Sequence, residues 1–88
     1  MAIGADTLAA ANHTLAGGHK SKATSNNAFA FGSNCTASGV VSNATGMNTI
    51  ASGDYSHTEG NGSEATHNSA HAEGAGTKAY ANYSHAEG

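Results

Sequence analysis

An all-β solenoid is the fold class this sequence predicts, a parallel β-roll of 14-residue coils with two short strands in each coil. Three observations carry it. Glycine recurs every fourteen residues, at Gly4, Gly18, Gly32, Gly46, Gly60, Gly74 and Gly88, which is seven of the 12 glycines in an 88-residue chain. Alanine keeps the same step at Ala9, Ala23, Ala37, Ala51, Ala65 and Ala79. Around both columns, small residues alternate with variable ones at period two, as in a strand with one closely packed face. A fixed period makes the coil, and not the single residue, the unit of structure.

With the recurrent glycine as position 14, the coils are 5–18, 19–32, 33–46, 47–60, 61–74 and 75–88, preceded by a partial coil 1–4. Together they form a single repeat domain over 1–88. Position 12 is Ala2, Ala16, Ala30, Ala44, Thr58, Ala72 and Ala86, and position 10 is Thr14, Ala28, Ser42, Ser56, Ala70 and Ser84. Positions 10, 12 and 14 are therefore small, and they define the first strand. Position 3 is always Thr, Ser or Cys, position 5 is always alanine, and position 7 is small except at His67. That is a second strand, whose small face meets the small face of the first. The expected interior thus holds Ala9, Ala23, Ala37, Ala51, Ala65 and Ala79 together with Gly18, Gly32, Gly46, Gly60 and Gly74.

Turns separate the strands. Position 8 is Asn or Asp in five coils and position 2 is Asp, Lys, Asn or Gly. Asn, Asp and Gly tolerate left-handed backbone angles and close turns locally. Proline is absent, as suits a ladder in which nearly every rung needs its backbone donor. Six coils stacked at about 4.8 Å would give a rod roughly 30 Å long. A helix suits the chain poorly, because its small residues lie two apart and Gly and Asn recur too often.

Composition agrees. Only 10% of residues are charged, and much of the 38% apolar content is alanine, too little bulk for a conventional core. The net charge of −3, with three lysines and no arginine, argues against binding nucleic acid or an anionic membrane. No stretch is long and apolar enough to be a membrane-spanning helix, and no secretion or lipidation signal is visible. The lone Cys35 sits in the Ser/Thr column and reads as a small buried filler.

Positions 11 and 13 point away from the narrow interior. In the first half of the chain they carry Met1, Ile3, Leu15, Phe29 and Phe31. Large apolar groups on an outward face imply that something covers it, and a thin roll has only further copies of itself to offer. From the third full coil the same positions turn polar, with Asn43 and Thr45, then His57 and Glu59, His71 and Glu73, His85 and Glu87.

Several segments carry a resemblance. Met1-Ala2-Ile3-Gly4, Ser42-Asn43-Ala44-Thr45-Gly46 and Thr49-Ile50-Ala51-Ser52-Gly53 fit the frame S-V-A-I-G followed by x-x-S/T-x-A-x-G. That frame resembles the head repeats of YadA-type trimeric autotransporter adhesins. The form Ser84-His85-Ala86-Glu87-Gly88 is similar to a variant in β-roll segments of phage tail-fibre and cell-surface proteins. The likeness spans essentially the whole chain. It implies a left-handed roll and a homotrimer in which positions 11 and 13 lie near the threefold axis. It also implies a location outside the cell, on a cell surface or a virion tail. The chain departs from the family where His and Glu replace the usual Val and Ile.

In such a trimer, His57, His71 and His85 would each form a ring of three imidazoles at the axis. One reading is a metal site there, since three histidines can bind Zn or Ni facially. A second is a His–Glu hydrogen-bonded lattice between neighbouring chains, favoured by its repetition in three coils, and a third is bound anions or water. Apart from such a metal, no cofactor is implied. His13 and His19 fall in turns, and His67 should swing outward. Tyr55, Tyr80 and Tyr83 lie on the outer surface as candidate contacts for a host-surface or matrix receptor. A row of threonines for ice binding is missing, because the exposed columns mix Leu8, Lys22, Ile50, Glu64 and Tyr80. The sequons beginning at Asn12, Asn34, Asn43, Asn61 and Asn82 are what an Asn/Ser/Thr-rich chain produces by chance. With no phosphate loop, triad or cleft signal, the expected function is non-enzymatic attachment as the head of a surface fibre. The alternatives are a purely structural rod of a phage tail fibre or spike, and a filament subunit that stacks end to end through open strand edges.

Overall fold

A 14-residue period sets each side chain above its counterpart in the next coil, and the backbone takes up that repeat as two parallel ladders. The computed structural model describes residues 2–5 and 7–87. In chain order the strands are β1 (Ala2–Ala5), β2 (Leu8–Ala9), β3 (Leu15–His19), β4 (Lys22–Ala23), β5 (Phe29–Ser33), β6 (Thr36–Ala37) and β7 (Asn43–Met47). They continue as β8 (Ile50–Ala51), β9 (His57–Asn61), β10 (Glu64–Ala65), β11 (His71–Ala75), β12 (Lys78–Ala79) and β13 (His85–Glu87). The odd-numbered strands form a seven-stranded sheet and the even-numbered ones a six-stranded sheet, each in coil order. Every pairing is parallel with a register of one coil, for example Phe29↔Asn43 and Asn43↔His57. No helix occurs among the described residues. The chain is thus a parallel β-solenoid, measuring 29 × 22 × 10 Å.

Four columns fill the space between the sheets. Ala23, Ala37, Ala51 and Ala65 of position 5 are completely buried, as are Ala16, Ala30, Ala44 and Ala72 of position 12. Positions 3 and 10 add Ser21, Cys35, Thr49 and Ser63, and Ala28, Ser42, Ser56 and Ala70. Ala9, in the first full coil, is half-buried against this core. Several buried hydroxyls return to backbone carbonyls. Ser21 Oγ donates to Gly32 O at 2.9 Å, Ser63 Oγ to Glu59 O at 2.9 Å and Ser56 Oγ to Gly53 O at 2.6 Å. Cys35 acts in the same way, with its Sγ 3.1 Å from Gly46 O. Not every interior hydroxyl is met in this way: those of Ser42, Thr49 and Thr58 are buried without a hydrogen-bond partner.

Three expectations are corrected. The second strand is only two residues long, positions 4 and 5, whereas the first runs from position 11 past the glycine to position 1 of the next coil. The glycine column is not interior: Gly18, Gly46 and Gly60 are exposed, and Gly32 and Gly74 are half-buried. Its cause is backbone geometry. Gly46 has φ 112°, and a Cβ there would collide with the carbonyl oxygen of Gly60 in the next coil. The third correction concerns the turns. Position 2 is left-handed as expected, at Lys20, Asn34, Asn48, Gly62 and Gly76. In the other turn the left-handed residue is position 9, not position 8: His13, Asn27, Val41, Tyr55, Ser69 and Tyr83 have φ between 55° and 61°. Position 8 builds a ladder instead. Asn26, Asp54 and Asn82 each accept, through Oδ1, the backbone N–H of the position-8 residue one coil earlier, at 3.3, 3.0 and 3.2 Å.

Candidate functional site

With the interior filled by small residues, chemistry can vary only on the outside. Alternation along the long strands turns positions 11 and 13 outward, and the one-coil register stacks each of them into a column. Column 11 runs Leu15, Phe29, Asn43, His57, His71, His85, and column 13 runs Ile3, Gly17, Phe31, Thr45, Glu59, Glu73. Met1, expected on this face, lies outside the described residues, and of Glu87 only the backbone is described.

The first half of this face is apolar and open. Ile3 is 50% exposed and Phe31 43%, while Leu15 and Phe29 are half-buried. The Phe31 ring lies directly over Gly17, so that a Cβ at Gly17 would strike it. It also stacks with the Phe29 ring at a centroid distance of 6.1 Å. The absence of a side chain at Gly17 is therefore what allows Phe31 to lie flat on the sheet. Sequence reasoning missed this role, although an interrupted column of large residues was its visible signal.

Asn43 and Thr45 mark the change of character. Both are half-buried, Thr45 Oγ1 approaches Thr58 O at 3.5 Å, and Asn43 Oδ1 is buried without a hydrogen-bond partner.

The second half is a histidine column beside a glutamate column. The imidazoles of His57 and His71 stack at 4.8 Å with planes 13° apart, and those of His71 and His85 at 4.6 Å and 4°. Within a strand, His57 Nε2 lies 3.2 Å from Glu59 Oε2, and His71 Nε2 lies 3.2 Å from Glu73 Oε2. Both contacts join residues two apart, which share a face. The expected lattice runs between neighbouring chains; within the single chain, Glu59 and Glu73 each meet the imidazole of their own strand. Glu73 stands in register with Glu59 in the neighbouring coil, and a hydrogen bond donated by the Glu73 carboxyl, with that from His57, holds the Glu59 carboxyl below the usual carboxylate range. Lowering of this kind is what hydrogen bonding to the ionised form produces.

The remaining candidates do not join this face. Tyr55 and Tyr83 occupy the left-handed turn column and are 64% and 81% exposed. Tyr80 lies beside the short strands and donates its hydroxyl to Glu64 Oε1 at 2.7 Å. That bond, with some desolvation, pushes the Tyr80 phenol up. Tyr55 and Tyr83 thus share the turn column two coils apart, and Tyr80 belongs to another column. His13, His19 and His67 are exposed and scattered, and His67 bonds locally to Thr66 at 3.1 Å.

The chain matches no protein-family model and no curated protein. The likeness to adhesin head repeats accordingly rests on the residues of the repeat itself.

Proposed function

We propose that this chain is a non-enzymatic rod of a surface-exposed fibre, a left-handed β-roll in which three copies meet through the outer face of the long-strand sheet. The observation that carries this reading is the run Ile3, Leu15, Phe29 and Phe31 on the outer face of one sheet, with Ile3 and Phe31 exposed and Leu15 and Phe29 half-buried. Apolar side chains gathered on a β-face are stabilised when a matching face removes them from water, at about 25 cal/mol per Å² buried. The adhesin-like repeat supplies the number three and the left hand. The exposed surface of such a trimer would then be the turns and the short-strand sheet. Tyr55, Tyr80 and Tyr83 stand there and would offer the attachment surface to a host-surface or matrix receptor outside the cell, with the roll setting reach and stiffness.

Light scattering of the purified chain at neutral pH tests the assembly. A mass of three chains that stays constant across a concentration series is the expected result. A single-chain mass would defeat the reading, and a mass growing with concentration would replace it with end-to-end stacking.

A further inference from the structure

We propose that the polar end of the long-strand sheet is a divalent transition-metal site, with His71, Glu73 and His85 as its protein ligands. Nε2 of His71, Oε2 of Glu73 and a ring nitrogen of His85 supply two imidazoles and one carboxylate from a single chain. This set suits Zn²⁺, and also Ni²⁺ or Cu²⁺, and leaves open positions for water.

Geometry carries the proposal. One ligating atom from each of the three residues can be chosen so that all lie within 4.8 Å of one another. The His71 Nε2 to Glu73 Oε2 separation is 3.2 Å. Two ligands at zinc-like distances of about 2.1 Å lie roughly 3.0–3.4 Å apart when they subtend an octahedral or tetrahedral angle. That pair is already spaced as one edge of a coordination shell. The third ligand needs an adjustment, because rings stacked in parallel at 4.6 Å aim their lone pairs side by side. His85 is exposed, so a rotation of its ring toward the His71–Glu73 pair completes a facial set.

The backbone favours the site further. His71 and Glu73 are two apart on β11, and His85 stands in register with His71 on β13, so main-chain hydrogen bonds hold all three Cα positions before any ion arrives. In the single chain, the half-buried setting of His71 and Glu73 and the exposure of His85 leave a path for a hydrated ion. Glu59 stands in register with Glu73 on the adjoining coil, so a second carboxylate adds to the negative charge near the site. This site is distinct from a ring of histidines shared by three chains, and it does not require the trimer.

The test is titration of the intact chain with CoCl₂, followed by visible absorption, and with ZnCl₂, followed by calorimetry, at neutral pH. One ion per chain is expected. His71→Ala and His85→Ala should each weaken binding by about tenfold or more, as losing a ligand exceeds the loss from a supporting residue. Glu73→Gln keeps the shape of the side chain and should weaken binding similarly while leaving the β circular-dichroism spectrum unchanged. A triple variant His13→Ala, His19→Ala and His67→Ala should bind as the native chain does. The assignment is overturned by no saturable binding of either ion. It is equally overturned by binding that survives His71→Ala and His85→Ala, or by one ion per three chains. A monomeric chain that binds one ion would uphold the site while defeating the trimer, so the two proposals fail separately.

Discussion

The two halves of the long-strand sheet share one frame and differ on one face. From Leu15 to Phe31 and from His57 to Glu73 the strands have the same length, register and buried position-12 column. Outside, one half shows stacked phenylalanines and the other stacked imidazoles flanked by carboxylates. The frame therefore does not depend on columns 11 and 13. Backbone ladders, buried small residues and left-handed turns hold each coil, and the outer face is left to change from apolar to polar within three coils. Function should therefore be sought in these columns, and stability in the columns that do not vary.

The largest expected effect comes from breaking what the halves share. Gly46→Ala puts an L side chain at φ 112° against the Gly60 carbonyl, which should destabilise the roll by about 3 kcal/mol or more and lower its thermal midpoint by ten degrees or more. A midpoint unchanged within error would show that the glycine column is not a structural requirement.

Next in size is a change that separates the halves. Phe29→Asp with Phe31→Asp should reduce the scattering mass from three chains to one, because unpaired charge cannot be buried between copies, while the β spectrum of the roll persists. His71→Ala should leave the mass at three chains. A double variant that stays trimeric would move the contact surface elsewhere.

The smallest effect sharpens the polar half alone. The Glu59 carboxyl is held below its ordinary value of 4.5 by Glu73 and His57, so it takes up protons more readily in the unfolded chain. Its stabilising contribution is fully present above that ordinary value and is lost as pH falls through the lowered one. Thermal unfolding followed from pH 6 to pH 3 should show a slightly smaller decline for Glu59→Gln than for the native chain, modest because the group faces solvent. Identical declines would remove Glu59 from the account.

The period, the parallel coil, its two strands and most interior columns were legible in the sequence, because identical coils must place identical side chains in identical surroundings. The polar and apolar outer columns were legible for the same reason. What escaped was set by backbone geometry. Glycine at position 14 looks like one more small residue in an alternating strand, yet it is required by a positive φ and by the nearness of the next carbonyl. Position 9 gave no warning, since Val41 and Tyr55 are poor left-handed residues, and the turn forces that geometry on whatever stands there. The asparagines of position 8 were visible, but their work is a coil-to-coil hydrogen-bond ladder. Within the candidate site, the His and Glu columns could be read from spacing. The pairing within one strand could not, because side-chain rotamers decide it.

The most direct test of the central claim places a thiol in the middle of the face. Thr45→Cys lies on column 13 between the two halves, and Tyr80→Cys lies on the opposite, short-strand side; the native Cys35 is fully buried and serves as the internal control. Under mild oxidation the account predicts covalently linked chains for Thr45→Cys and none for Tyr80→Cys. Linkage through Tyr80→Cys with none through Thr45→Cys would contradict it.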